Sequence, residues 1–116
     1  MGQPPRFVYG PSSRRHTNGL LFLAVTGSDE YQAACVQFDV ASGDVAANVA
    51  AMQVGIEEAA AAGARLAVLP ELWSTSFLTE FDDALFEAVG DAESSLCDLS
   101  REHSMVVVGS SIEAEG

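Results

Sequence analysis

One carboxylate in this sequence stands where chemistry tends to collect. Glu71 follows directly on the apolar run Leu66-Ala67-Val68-Leu69 and Pro70. Four apolar residues closed by a proline, which has no N–H to give to a sheet ladder, predict a buried strand that ends abruptly. In open parallel sheets ligands gather at the carboxyl ends of the strands, where loops and helix N-termini converge. A lone glutamate in such a place is more often a solvated loop residue. Here, however, Leu72, Trp73 and Phe77 follow it, an apolar and aromatic neighbourhood expected to desolvate the carboxylate and suit it to work as a general base.

The other reactive side chains form no second constellation. Cys35 and Cys97 share no metal-like or redox-like spacing, and the two histidines, His16 and His103, are equally scattered. Neither a zinc site nor a CxxC redox centre is expected. Seventeen acidic residues stand against five basic ones, all arginines, for a net charge of −12. Such a chain has no basic face to release counterions from phosphate, so nucleic acid and anionic membrane surfaces are excluded as partners. With 48% apolar residues and 19% charged ones the chain has the means to bury a core.

Elements that would place Glu71 are legible on both sides of it. Ala33 to Val40 (AACVQFDV) is a β-rich run, and Ser42-Gly43-Asp44 makes a turn after it. Asp44 is a good N-cap, and Val45, Val49, Met52 and Ile56 recur at helical spacing, with Gln53 and Glu57 on the opposite face. Gly63 closes that helix by taking the left-handed conformation after the alanines at 59–62. A second helix is expected over Asp91 to His103, with Leu96, Leu99, Ala92 and Cys97 turned inward and His103 at its negative end. Met105 to Gly109 is a third strand. Helices linking successive strands make those strands parallel, and the fold class is α/β.

Residues 1–30 differ in character. Pro4, Pro5, Gly10, Pro11 and Gly19 interrupt them, and only Leu20 to Val25 is continuously apolar. This segment is expected to be a weakly ordered extension. Arg14-Arg15 ahead of the apolar run has the look of a twin-arginine export signal, but the run is too short for an h-region and no A-x-A cleavage site follows. No stretch approaches the length of a membrane span, so a cytoplasmic location is expected.

The string LAVLPELWSTSF (66–77) is the most specific element of a wider pattern. With AACVQFDV (33–40), Asp44, Asn48 and Gly63-Ala64 before it and SREHSMVVVGSSI (100–112) after it, residues 31–116 resemble the N-terminal part of a carbon–nitrogen hydrolase (nitrilase) superfamily domain. The resemblance implies an α-β-β-α sandwich, present here as an incomplete strand-helix-strand-helix-strand piece. It also implies hydrolysis of non-peptide C–N bonds in small amides, nitriles or carbamoyl compounds by a Glu-Lys-Cys triad without metal or organic cofactor, and association into homo-oligomers. Glu71 matches the family glutamate, as general base toward a cysteine thiol and then toward water. The family lysine would steady charge on the tetrahedral intermediate. Trp73 and Phe77, with Ser74 and Thr75, are candidates for the wall of the substrate site.

The sequence departs from that family at two of the three positions. It contains no lysine, and Cys35 and Cys97 fall within a strand and a helix and are assigned to packing. The 116 residues are therefore expected to be the opening piece of a longer enzyme and to be inactive alone. A self-sufficient small α/β binding or regulatory module is the alternative, although Ala41-Ser42-Gly43-Asp44 has neither a GxGxxG nor a P-loop pattern. An inactive partner of a full-length homologue is a third reading.

Overall fold

The structure, a computed structural model, describes residues 31–115 together with the backbone of two strands upstream, β1 (Arg6–Tyr9) and β2 (Leu21–Thr26). Then follow β3 (Tyr31–Cys35), α1 (Val45–Ala61), β4 (Ala64–Val68), α2 (Asp83–Glu102) and β5 (Val106–Val108). One five-stranded sheet runs in the order β1-β2-β3-β4-β5. β1 pairs antiparallel with β2, and β2 with β3, whereas β3, β4 and β5 are mutually parallel. The expected strand-helix-strand-helix-strand order is present from β3 onward, and β2 coincides with the apolar run noted before residue 31. The Arg14-Arg15 pair lies outside the described residues.

Register divides the parallel strands into two faces. Ala34, Ala67 and Val107 are aligned partners; the two alanines are fully buried and Val107 packs against the core they belong to. Both helices cover this side and contact each other. From α1 come Val45, Asn48, Met52, Gly55, Ile56 and Ala59, and from α2 come Val89 and Ala92, with Leu85, Leu96 and Leu99 partly buried beside them. On the opposite face Ala33, Leu66 and Val106 align, as do Cys35, Val68 and Val108. That second face is apolar and open: Val68 is 38%, Val108 50% and Val106 63% exposed. A half-covered sheet of this kind drives association. We expect the chain in solution to associate in a concentration-dependent way, and Val106→Thr with Val108→Thr to suppress it as read by light scattering. A monodisperse unaltered chain with a sharp cooperative melt would contradict this.

Both helices are bounded by signals the sequence carries. Asp44 caps α1, its Oδ1 accepting from Ala47 N–H at 3.1 Å, and Gly63 takes φ +87° just past the helix end. α2 starts eight residues before its expected position. Asp82 caps it, Oδ1 accepting from Leu85 N–H at 2.7 Å, and the inward stripe of Leu85, Val89, Ala92, Leu96 and Leu99 runs through the exposed Gly90 without interruption. Cys97, expected on that stripe, is exposed. One position beyond Leu96 is a rotation of about 100° around a helix, which carries it away from the core. His103 is the C-cap residue, its N–H donating to Leu99 O at 3.0 Å.

The first strand expected, Ala33 to Val40, lies earlier and is shorter, at Tyr31–Cys35. Val36 N–H still donates to Val68 O at 2.8 Å. Beyond it β4 has passed over to β5, with Leu69 N–H donating to Val108 O at 2.8 Å, and Pro70 has no N–H to offer. The ladder to β3 therefore stops, and residues 37–40 are irregular.

Candidate active site

Glu71 lies three residues past the end of β4, at the carboxyl end of the parallel strands, where the strand rule places a ligand. The chain reverses there in a compact turn. Leu72 adopts φ +47° and Ser76 φ +65°, left-handed conformations that cost a residue bearing a side chain about 1–3 kcal/mol and are held only where the surroundings impose them. Thr75 N–H and Ser76 N–H both reach back to Leu72 O, at 3.2 and 2.8 Å. Thr75 Oγ1–H donates to Ser76 O at 2.9 Å.

Contacts on three sides fix this turn to the rest of the fold. On the β5 side, Leu72 N–H donates to Ser110 Oγ at 2.8 Å. On the α1 side, the Asn48 Nδ2 amide donates to Ser74 O at 2.8 Å, and Gly43 N–H donates to Thr75 O at 2.9 Å. Underneath, the Trp73 indole is 1% exposed and lies flush against Gly109. A side chain at Gly109 would begin only 3.0 Å from Trp73 Cδ1 and 3.3 Å from Leu69 Cδ1, so the end of β5 must be bare for the indole to seat.

These placements separate the expected site residues. Glu71 is exposed, not desolvated: the apolar side chain expected to shield it, Trp73, turns down into the core instead of across the carboxylate. Phe77, 71% exposed, has left the turn and covers nothing. Trp73 is thus a buried support of the Glu71 turn within this chain, and Phe77 an open apolar surface near it. Ser74 and Thr75 are fully buried, and Ser74 Oγ has no hydrogen-bond partner. Cys35 is half-buried on the open face of the sheet beside Val68. No group of three or more potential metal ligands occurs among the described residues.

A cleft of about 790 Å³ opens on the other flank of the turn, between the start of α1 and the segment leading into α2. Asp44, Val45, Leu78, Phe81, Asp82 and Leu85 are among its lining residues. Glu71, Trp73 and Phe77 are not among them.

Asn48 and Ser110 carry the geometry of the turn and had no role assigned from sequence. For Asn48 a signal existed: it is a polar residue at a core-facing step of an otherwise apolar stripe, between Val45 and Met52. Buried amides in that position must be hydrogen-bonded to something specific. For Ser110, an exposed serine after a strand, no local pattern distinguishes it.

In a comparison with known families, the family model described as carbon-nitrogen hydrolase matches residues 32–116. No curated protein matches the chain.

Proposed function

Since the chain belongs to the carbon–nitrogen hydrolase family, we propose that it forms the N-terminal part of an enzyme cleaving non-peptide C–N bonds in small amides, nitriles or carbamoyl compounds. In this reading Glu71 is the general base of a Glu-Lys-Cys thiol mechanism whose lysine and nucleophilic cysteine are supplied outside these residues. The carboxylate takes the thiol proton, the thiolate attacks the carbonyl or nitrile carbon, and the lysine ammonium stabilises the charge that develops on the oxygen or nitrogen. For an amide, the proton then leaves with the amine, and Glu71 next deprotonates the water that releases the acyl group from sulfur. Trp73 and Phe77 contribute to the substrate wall, the first by bracing the turn and the second by direct contact. No organic cofactor or metal is called for, and the cytoplasm is the expected location. No helix among the described residues is long and apolar enough to cross a membrane.

One observation carries the reading most: Glu71 leaves the tip of β4 through a turn fastened on both flanks. A solvated loop glutamate has no need of such fastening. The exposure of Glu71 and of Val68, Val106 and Val108 on the open face of the sheet supports the reading of a site and a sheet face covered by further chain. The test is ammonia release from small amides, nitriles and carbamoyl compounds. The 116 residues alone are expected to release none, and a polypeptide extended by the lysine and cysteine segments is expected to turn over one of these classes. Turnover by the 116 residues alone would show that the catalytic groups are misassigned.

A further inference from the structure

We infer that Asn48 is a positioning residue for Glu71, acting as a clamp that ties the β3–α1 loop to the Glu71 turn; its consequence for catalysis rests on the function proposed above. The side chain is 1% exposed and its amide is engaged on both atoms. Oδ1 accepts from Ala41 N–H at 2.8 Å, while Nδ2 donates to Ala41 O at 2.8 Å and to Ser74 O at 2.8 Å. Both amide hydrogens are therefore used, one on each of two separate loops. No other side-chain type of this length offers one acceptor and two donors in a single plane.

The geometry of the clamp bears on the carboxylate because of where its second loop lies. Ser74 is three residues past Glu71, inside the turn whose left-handed step at Leu72 sets the direction in which the chain leaves Pro70. Gly43 N–H holds the next carbonyl, that of Thr75. Two successive carbonyls of the turn are thereby referred to the first turn of α1 and the loop before it. With the Ser110 grip on Leu72 N–H, the backbone on the C-terminal side of Glu71 has little freedom to rotate. Capping of α1 does not require Asn48, since Asp44 performs it. The asparagine is thus an addition whose side-chain bonds all serve the loops rather than the helix.

Trp73 is the single tryptophan of the sequence and lies within the same turn, so its emission reports the turn directly. Asn48→Ala in the full 116-residue chain is expected to move Trp73 emission to longer wavelength and to weaken amide protection at Gly43 and Ser76 by about tenfold or more relative to the interior of α1. Ile56→Ala serves as the control. It removes a fully buried side chain about two helical turns away on α1, and is expected to lower the melting temperature without altering Trp73 emission in the folded state. If Asn48→Ala and Ile56→Ala differ only in melting temperature, Asn48 is an ordinary core residue and the inference is overturned. Should Asn48→Ala fail to fold, the unaltered chain decides by hydrogen exchange. Ala41 N–H is expected to be protected to within about tenfold of the α1 interior, and fast exchange there overturns the clamp. In the extended polypeptide, Asn48→Ala is expected to lower kcat with KM little changed, because a displaced base affects the transition state rather than substrate binding. A displaced turn together with full activity of Glu71→Gln sinks the hydrolase reading and leaves the clamp standing; an undisturbed turn together with an inactive Glu71→Gln does the reverse.

Discussion

Glu71→Gln is expected to lower turnover of the extended polypeptide by about a hundred- to ten-thousand-fold, as the loss of the proposed general base requires, while leaving the fold and its stability unchanged. The amide keeps the volume and polarity of the carboxylate but does not act as a base, so in the proposed mechanism the thiol would stay protonated and the hydrolytic water would not be activated. Stability is expected to move by no more than about 0.5 kcal/mol, as for other exposed positions outside caps and cores, because Glu71 is open to solvent and packs against nothing in the core. Steady-state kinetics with far-ultraviolet circular dichroism separate the two effects. Glu71→Asp provides an internal scale: the carboxylate is retained but drawn back by one methylene, and a misplacement of about 1 Å costs on the order of a hundredfold. The expected order of activity is therefore Glu, then Asp, then Gln. Activity that survives Glu71→Gln removes the base from this residue, and a variant that loses its helical signal shows a structural role instead.

How much of this arrangement the sequence discloses depends on whether the determining contact is local. Asp44 and Gly63 bound α1 by interactions within a few residues, and both ends were legible. Pro70 likewise stops β4 by its own chemistry. The start of α2 was displaced because Gly90 and Asp91 look like a boundary when the residues around them are read alone, whereas the stripe from Leu85 to Leu99 continues through the exposed glycine. Glu71 stands out in the sequence by its place after a strand. Its exposure is not legible there, because the direction of Trp73 is decided by space left beside Gly109, just past a strand far along the chain. The grips on the turn, from Asn48 and Ser110, are bonds across 26 and 38 positions. No local pattern reveals such pairs, and only the buried polar residue on an apolar helical stripe hints at one.

One more distant contact governs how α1 is set against the sheet, and it yields a sharp prediction. Gly55 meets Val36 so closely that a Cβ built on the glycine would run into Val36 Cγ1. Val36 cannot retreat easily. It is 2% exposed, its β-branched side chain is stiff at χ1, and its N–H is bound to Val68 O. In an open helix, replacing glycine by alanine stabilises by about 1 kcal/mol. Here overpacking, which costs about 1–3 kcal/mol, outweighs that gain because the clash is with a stiff, buried side chain, so Gly55→Ala is expected to destabilise by up to about 2 kcal/mol and to lower the melting temperature by a few degrees. Val36→Ala alone opens a cavity and is expected to cost about 2 kcal/mol. In the double variant the new methyl occupies the space the valine vacated, so its loss should fall short of the sum of the two single losses by about 1–2 kcal/mol. Additivity to within about 0.5 kcal/mol would show that helix and strand are not in the contact described. The coupling matters beyond stability: α1 carries Asp44 and Asn48 at its other end, so a helix lifted off Val36 also shifts the anchor of the Glu71 turn. Gly55→Ala is accordingly expected to change Trp73 emission in the folded chain, and adding Val36→Ala to restore it.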